Sequence, residues 1–334
     1  MRLLTRSNFA PESRWLLNLR RTFGSERFSL DPPATSRPGK EVWKLPRILL
    51  DTHFTIGETV MITADVAHYL ANVMRLKEGS PFRAFNSRTG DGGGEYLLKM
   101  DRPTQTRRLR NIDVVHASVV SQLREAGACA QLPVCLFLAP IRRAKMKLVL
   151  EKATELGVAA VGVVQTALVQ DGNIDKWDTD AYTRVMTEAC EQSERLAVPH
   201  VSHTVPVPLA QLLLQWQKRK DDGEFAQLLM CRERVSVEQG QGTPLLTALL
   251  SAPQDALLMM HGHRATTLSS RPKPPPFGLM IGPEGGWTND ELDLCNKHSV
   301  VKMVSLGDSI LRAETASLAA LSVVASVVDH TKCN

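Results

Sequence analysis

Hydrophobic and polar positions change rhythm once along the chain. Between residues 46 and 125, short apolar runs of strand length alternate with turns. Arg47–Leu50, Thr59–Thr63, Pro81–Phe85 and Glu95–Lys99 read as strands, and Ala67–Leu76 reads as a short amphipathic helix. The loop Asn86–Gly94 is glycine-rich, but a strand follows it rather than a helix. It therefore reads as a hairpin loop and not as a phosphate cradle. From residue 131 onward strands and helices alternate, the signature of an α/β unit with a parallel sheet.

In this second part, Val134–Leu138 and Val158–Val164 are predicted strands. Between them, Lys145–Leu156 carries Met146, Val149, Leu150 and Ala153 at helical spacing and stops at Gly157. The pattern predicts a helix over Asp180–Leu196, with Glu188, Glu191, Gln192 and Arg195 on one face. A helix over 209–218 and strands at Ala226–Met230 and Ala256–His261 follow. Ser236–Pro244 and Ala265–Pro276 read as loops.

The chemistry concentrates near the end of the chain. A short apolar run at Leu279–Ile281 enters Gly282-Pro283-Glu284-Gly285-Gly286, and Thr288-Asn289-Asp290-Glu291 then has the spacing of a capping box opening a helix. A second such unit follows, with Leu306-Gly307-Asp308 after an apolar run and Arg312 and Glu314 before an alanine-rich helix. Two strand–turn–helix units in tandem predict one ligand pocket built from two loops beyond strand ends. Neither unit has the G-x-G-x-x-G spacing or a Gly-Lys-Ser/Thr phosphate signature. No nucleophile with its base and no metal cluster can be assembled from these motifs.

Ile281 to Thr288 followed by Leu306 to Ala316, together with Lys152–Gly157 and Glu188–Arg195, resembles the RsmE family of ribosomal small-subunit RNA methyltransferases, of the SPOUT class. The resemblance spans roughly residues 46 to 330. It implies an α/β fold: a SPOUT-type knotted parallel-sheet methyltransferase domain at 131–331, preceded by a small PUA-like β-barrel domain at 46–125 that helps bind RNA. It also implies S-adenosylmethionine as cofactor, N3 of a uridine in small-subunit rRNA as the methyl acceptor, and a homodimer with the C-terminal helix at its interface. Ala316–Val328 is apolar nearly all round, as such a helix requires.

Carried over residue by residue, the cofactor loops comprise Met260, His261 and Gly262; then Ile281, Gly282, Pro283, Glu284, Gly285 and Gly286; then Leu306, Gly307, Ile310, Leu311 and Ala316. Arg312, Arg195 and Glu314 are the candidate catalytic residues. Arg312 or Arg195 would stabilise negative charge developing on the uracil carbonyls. Glu314 fits two roles, capping a helix that starts at Thr315 or orienting Arg312. Glu284 likewise fits a bland place near the next helix N-terminus. Arg75, Arg88, Gln192 and Arg195 are candidate RNA contacts, beside the reading that they are a solvated face, and the basic run from Arg102 to Arg110 would add phosphate contacts.

Three positions depart from the family pattern. Ser309 stands where a basic residue is usual, Pro140-Ile141-Arg142 replaces Pro-Lys-Gly, and Glu194 replaces a glycine. A carboxylate beside Arg195 would weaken RNA contact. The alternative reading is accordingly an rRNA-binding assembly factor on the same fold, weak or inactive in catalysis.

Composition narrows the rest. The chain has 334 residues, 43% hydrophobic and 22% charged, a net charge of +5 and no apolar run long enough to span a membrane. A mildly basic balance suits an RNA partner. The six cysteines are scattered without C-x-x-C or zinc spacing, which reads as reduced thiols. Residues 1–45 form an extension: Arg2, Arg6, Arg14, Arg20, Arg21 and Arg27 face only Glu12 and Glu26, and Pro, Ser and Gly enrich 31–40. An Arg-rich, acid-poor amphipathic start of this kind predicts mitochondrial import, with an RNA-binding arm or a disordered tail, and another organelle or the cytoplasm, as the alternatives.

Overall fold

The structure is a computed structural model that describes residues 41–87, 93–101, 104–105, 112–129, 131–169, 177–232, 243–258 and 274–333. The first half builds β1 (Arg47–Leu49), β2 (Thr59–Ile62), α1 (Ala64–His68), β3 (Pro81–Asn86), β4 (Gly94–Met100), β5 (Thr104–Gln105) and β6 (Ile112–Glu125). They form one sheet in the order β1-β3-β4-β6-β2, with β5 added against β6. Among the described residues of this sheet only β1 and β3 run parallel; the other pairs are antiparallel, and Asn86 lies opposite Gly94, as a β3–β4 hairpin requires. Ile48, Phe54, Ile62, Leu70, Phe82 and Leu98 fill its core. The helix expected over Ala67–Leu76 is shorter and begins earlier, and a π-helical turn over Tyr69–Val73 replaces its second half.

The second half opens with β7 (Leu132–Leu138), α2 (Arg143–Leu156), β8 (Val158–Gln165), α3 (Thr179–Gln192), β9 (His200–Val201), β10 (Val207–Pro208), α4 (Leu209–Asp221) and β11 (Gln227–Cys231). It closes with β12 (Thr243–Pro244), α5 (Leu245–Leu250), α6 (Gln254–Leu258), β13 (Phe277–Ile281), α7 (Asn289–Asn296), β14 (Val301–Ser305) and α8 (Ala313–Cys333). Its strands pair in parallel in the order β10-β8-β7-β13-β11-β14-β12.

The period of two explains the continuous apolar strands. On β7, Val134, Leu136 and Leu138 face the core that α2, α3, α5 and α8 cover, while Cys135 and Phe137 face the core under α4 and α7. Leu229 and Cys231 of β11 point to the first core, and Leu228 and Met230 to the second. A sheet covered on both faces leaves no position for an exposed polar residue, so alternation disappears. Each fully buried Leu, Val or Phe contributes roughly 1.5–3 kcal/mol of burial. Among the described residues, no helix is long and apolar enough to cross a membrane.

Three expectations are corrected. Residues 254–258 form α6 rather than a strand; the apolar run is short, and period alone does not separate a strand from a buried helical turn. Helix α3 ends at Gln192, because Glu194 adopts φ +59° and reverses the chain there, so Arg195 is not on the helical face with Glu188. Helix α8 begins at Ala313 with the Ala316 N–H donating to the Arg312 carbonyl, so Glu314 lies inside the first turn and does not cap the helix.

Candidate functional site

Strands β13, β11 and β14 are neighbours, and their parallel carboxyl ends open on one edge of the sheet. A cavity of about 510 Å³ lies there. Cys231 and Arg232 enter it from the end of β11. Ile281 and the turn Gly282–Gly286 enter from β13, continuing into Trp287, Asn289 and Leu292. Leu306, Gly307, Ser309, Ile310, Leu311 and Arg312 enter from β14, followed by Ala313 and Ala316 of α8.

Local chemistry fixes each wall. Trp287 folds back over the first turn, and its Nε1–H donates to the Cys231 carbonyl at 3.1 Å, tying that turn to β11. A Cβ at Gly282 would sit 3.0 Å from the Trp287 ring, so any side chain there would press on that ring. Thr288 and Glu291 form the reciprocal capping box expected from the sequence, and Glu291 also accepts from the Ala167 N–H at 2.7 Å. In the second loop Gly307 adopts φ +116°, and its N–H donates to Ser305 Oγ at 3.1 Å.

Charge is distributed unevenly around this cavity. Lys145, in the first turn of α2, places its Nζ 3.2 Å from Glu284 Oε1 and 3.4 Å from Glu314 Oε2. One ammonium thereby links the first loop to the start of α8. Glu314 Oε2 is shielded from solvent and takes no hydrogen bond. Among the described residues, the guanidiniums of Arg232 and Arg312 have no ion-pair partner. Burial pushes the Cys231 thiol up to about 12, so it stays protonated at neutral pH and supplies no thiolate.

The cavity gathers Ile281, Gly282, Pro283, Glu284, Gly285, Gly286, Leu306, Gly307, Ile310, Leu311, Arg312 and Ala316, all singled out from the sequence. Met260, His261, Gly262 and Arg88 lie outside the described residues. Glu314 is not among the lining residues and pairs with Lys145. Cys231, Arg232, Trp287 and Lys145 were not anticipated. Trp287 carried a signal, since a tryptophan directly after a glycine turn has little to pack on except that turn.

Arg195, Gln192 and Arg75 are elsewhere. Arg75 is exposed at φ +56°, and Gln192 is exposed at the end of α3. The Arg195 guanidinium lies on Gly157, with Nε donating to the Thr154 carbonyl at 3.2 Å and Nη1 to Cys129 Sγ at 3.3 Å. It satisfies the last turn of α2 rather than joining Arg312.

Close by, the two sheets are fastened together. Arg47 of β1 donates to the carbonyls of Cys190 at 2.7 Å, Glu191 at 3.3 Å and Arg195 at 2.6 Å. Its Nε holds the fully buried Glu95 at 2.9 Å, and Glu95 also takes Arg83 at 3.3 Å and Arg124 Nε at 2.6 Å. Arg83 reaches on to Glu194 Oε1 at 2.7 Å. The Glu194 carboxylate therefore turns to Arg83, which corrects the expectation that it stands against Arg195. Glu191 accepts from the Leu49 N–H at 3.0 Å, and burial raises its pKa above the usual carboxylate range.

Comparison with known proteins follows the same division. A family model described as an RNA methyltransferase domain matches residues 129–325, and one described as an RNA methyltransferase PUA domain matches residues 62–97. The chain is 25% identical over 288 residues to Ribosomal RNA small subunit methyltransferase E of Rickettsia conorii, covering 86% of this chain and 98% of that protein. It is 27% identical over 289 residues to the protein of the same name from Synechocystis sp., covering 85% and 78%. The fold matches the solved Ribosomal RNA small subunit methyltransferase E from Neisseria gonorrhoeae bound to S-adenosyl methionine, with a TM-score of 0.58 and 21% identity over 85% of this chain and 98% of that one.

Proposed function

The chain belongs to the RNA methyltransferase family whose domain spans residues 129–325, and from that premise we propose that it methylates small-subunit rRNA at N3 of a uridine, using S-adenosylmethionine. The observation that carries the reading is the three-loop cavity at the ends of β13, β11 and β14. Its residues fit the cofactor. Ile281, Leu306, Ile310 and Leu311 offer apolar contact for an adenine, and main-chain groups of the two glycine turns offer hydrogen bonds beside them. The cofactor supplies an electrophilic methyl group.

The protein supplies the rest. The turns at 282–286 and 306–311 fix the position of the reacting centre, which counts because alignment replaces a costly encounter. Small residues at Ala313 and Ala316 keep the floor of the cavity open. As the N3 proton leaves, negative charge spreads to the uracil carbonyls, and the exposed Arg312 guanidinium is free to stabilise it. A uridine held outside any duplex is the form in which its N3 edge can be reached.

The departure at Ile141 costs little on this reading. Ile141 is buried in the core, and Arg142 beside it is exposed and supplies a cation one position along. The reading extends to a C-terminal trefoil knot, to a homodimer through α8 and, from the Arg-rich residues 1–30, to the mitochondrial matrix. Sedimentation of the purified chain and localisation of a fluorescent fusion to residues 1–45 test the last two.

The deciding experiment is transfer of labelled methyl from S-adenosylmethionine to small-subunit rRNA or its assembly intermediates, with Arg312→Ala alongside. Label on a uridine N3 that is lost in the variant supports the enzyme. No label from a chain that still binds RNA overturns it in favour of an assembly factor.

A further inference from the structure

We infer that Arg232 is an anion-binding residue of the cavity, taking a carboxylate or phosphodiester oxygen of a bound substrate. The inference rests on the methyltransferase reading and adds a recognition element to it.

Arg232 follows the last residue of β11, the strand between β13 and β14, so it enters from the middle of the cavity's rim. Its backbone is held there, because the Arg232 N–H donates to the Val304 carbonyl at 3.0 Å. The side chain is half-buried and, among the described residues, has no partner. A guanidinium partly withdrawn from water and left unpaired is unfavourable, and an incoming anion relieves that cost.

The surrounding charges favour the same ligand. Among the described residues, the acidic side chain lining the cavity is Glu284, and Lys145 holds it at 3.2 Å. Glu314 is turned to the same lysine. Across the rim, Arg312 is a second unpaired guanidinium among the described residues. Lys145 offsets part of the carboxylate charge that would repel an anion, while, among the described residues, two arginines on different loops have no ion-pair partner. A forked guanidinium recognises a carboxylate and a phosphate through the same two-point geometry. Two anions meet that description: the amino-acid carboxylate of the methyl donor and a phosphodiester of single-stranded RNA next to the target base.

The test uses the full chain and Arg232→Gln, with Arg232→Lys as a variant that keeps the charge. Calorimetry measures S-adenosylhomocysteine, which has the carboxylate, and 5′-methylthioadenosine, which lacks it. Fluorescence anisotropy follows a labelled uridine-containing RNA dodecamer across a salt series. If the amino-acid carboxylate is the anion, Arg232→Gln weakens S-adenosylhomocysteine roughly ten-fold or more and leaves methylthioadenosine unchanged. If the anion is RNA phosphate, both small molecules bind as before. The dodecamer then binds more weakly, and its logarithmic salt slope falls by about 0.7, one contact on a single strand. In either case Arg232→Lys recovers part of the loss, and it carries the comparison if the glutamine variant fails to fold. Unchanged binding of all three probes, or equal weakening of both small molecules, overturns the inference. Failure of the wild-type chain to bind either small molecule overturns the methyltransferase reading itself.

Discussion

Replacing Lys145 with methionine removes one charge and keeps most of the side chain's length. In the wild type that ammonium is 3.2 Å from Glu284 and 3.4 Å from Glu314, with its own side chain only 27% exposed. Glu314 is the sensitive partner. Its Oε2 is closed off from water and takes no hydrogen bond, so the nearby Lys145 charge is the compensation seen for it. Leaving such a group uncompensated costs about 1–3 kcal/mol. Glu284 is 28% exposed and recovers water more readily, so its loss adds at most about 1 kcal/mol. The effect falls on the spacing between the first loop and α8, the two walls that a ligand must find in register. If binding has to restore that spacing, the combined cost of about 1–4 kcal/mol lowers affinity for S-adenosylhomocysteine roughly 5- to 700-fold, since about 1.4 kcal/mol is a factor of ten. Calorimetry measures this directly. Lys145→Arg is expected to stay close to wild type. Adding Glu314→Gln to Lys145→Met removes the charge that lacks a partner and recovers part of the melting temperature. The reasoning fails if Lys145→Met binds within two-fold of wild type and the double-mutant cycle gives no coupling.

Other parts of the structure set further tests. Glu95→Gln leaves the buried Arg47 and Arg83 without their carboxylate, costing about 3–5 kcal/mol. At about 2–4 °C per kcal/mol, that lowers the melting temperature by roughly 6–20 °C, and a change under 3 °C contradicts the assigned role. At Glu194, glycine relieves a left-handed conformation worth roughly 1–2 kcal/mol but adds roughly 0.5–1 kcal/mol of backbone entropy. Either substitution loses a half-exposed ion pair to Arg83 worth at most about 1 kcal/mol. Glu194→Gly should therefore melt near wild type and above Glu194→Ala; the reverse order rules out backbone strain at this turn. Glu191 has a folded-state pKa raised by burial, so the folded chain holds its proton to higher pH than the unfolded chain does. Its contribution is complete below the ordinary glutamate value and is lost as pH rises through the raised one. Glu191→Gln should remove that part of the pH dependence in equilibrium unfolding.

The cavity was legible where its residues are local in sequence. Ile281–Asn289 and Ser305–Ala316 each contain a strand end, a turn and a helix start within a dozen residues, and each element carries its own signal. Arg232 and Lys145 carry no such signal. Arg232 reaches the cavity because β11 inserts between β13 and β14, and Lys145 reaches Glu284 of the first turn because β7, which leads into α2, lies on the other side of β13. That order is set by long-range pairing, and the apolar pattern of a strand covered on both faces says nothing about its neighbours. The same limit explains residues 254–258, where a run of apolar residues too short to show a period folded as helix.

Arg195 shows how one residue of left-handed backbone moves a side chain off the face that its spacing assigns. Its neighbours Glu188, Glu191 and Gln192 are helical, and extending the helix by one turn would have put all four side chains on one surface. Glu194 at φ +59° ends that possibility. The carbonyls released at the end of α3 then need donors, and Arg47 from the other sheet supplies three hydrogen bonds across the junction. Arg195 turns the opposite way, onto Gly157 and the last turn of α2. The segment 190–195 is therefore a joint between the N-terminal sheet and the helices that cover the parallel sheet. The charges that hold it are buried, and a buried cluster of one carboxylate and three guanidiniums tolerates the loss of a partner poorly. The segment fastens the two halves of the chain, while Arg312 lines the cavity and, among the described residues, has no ion-pair partner.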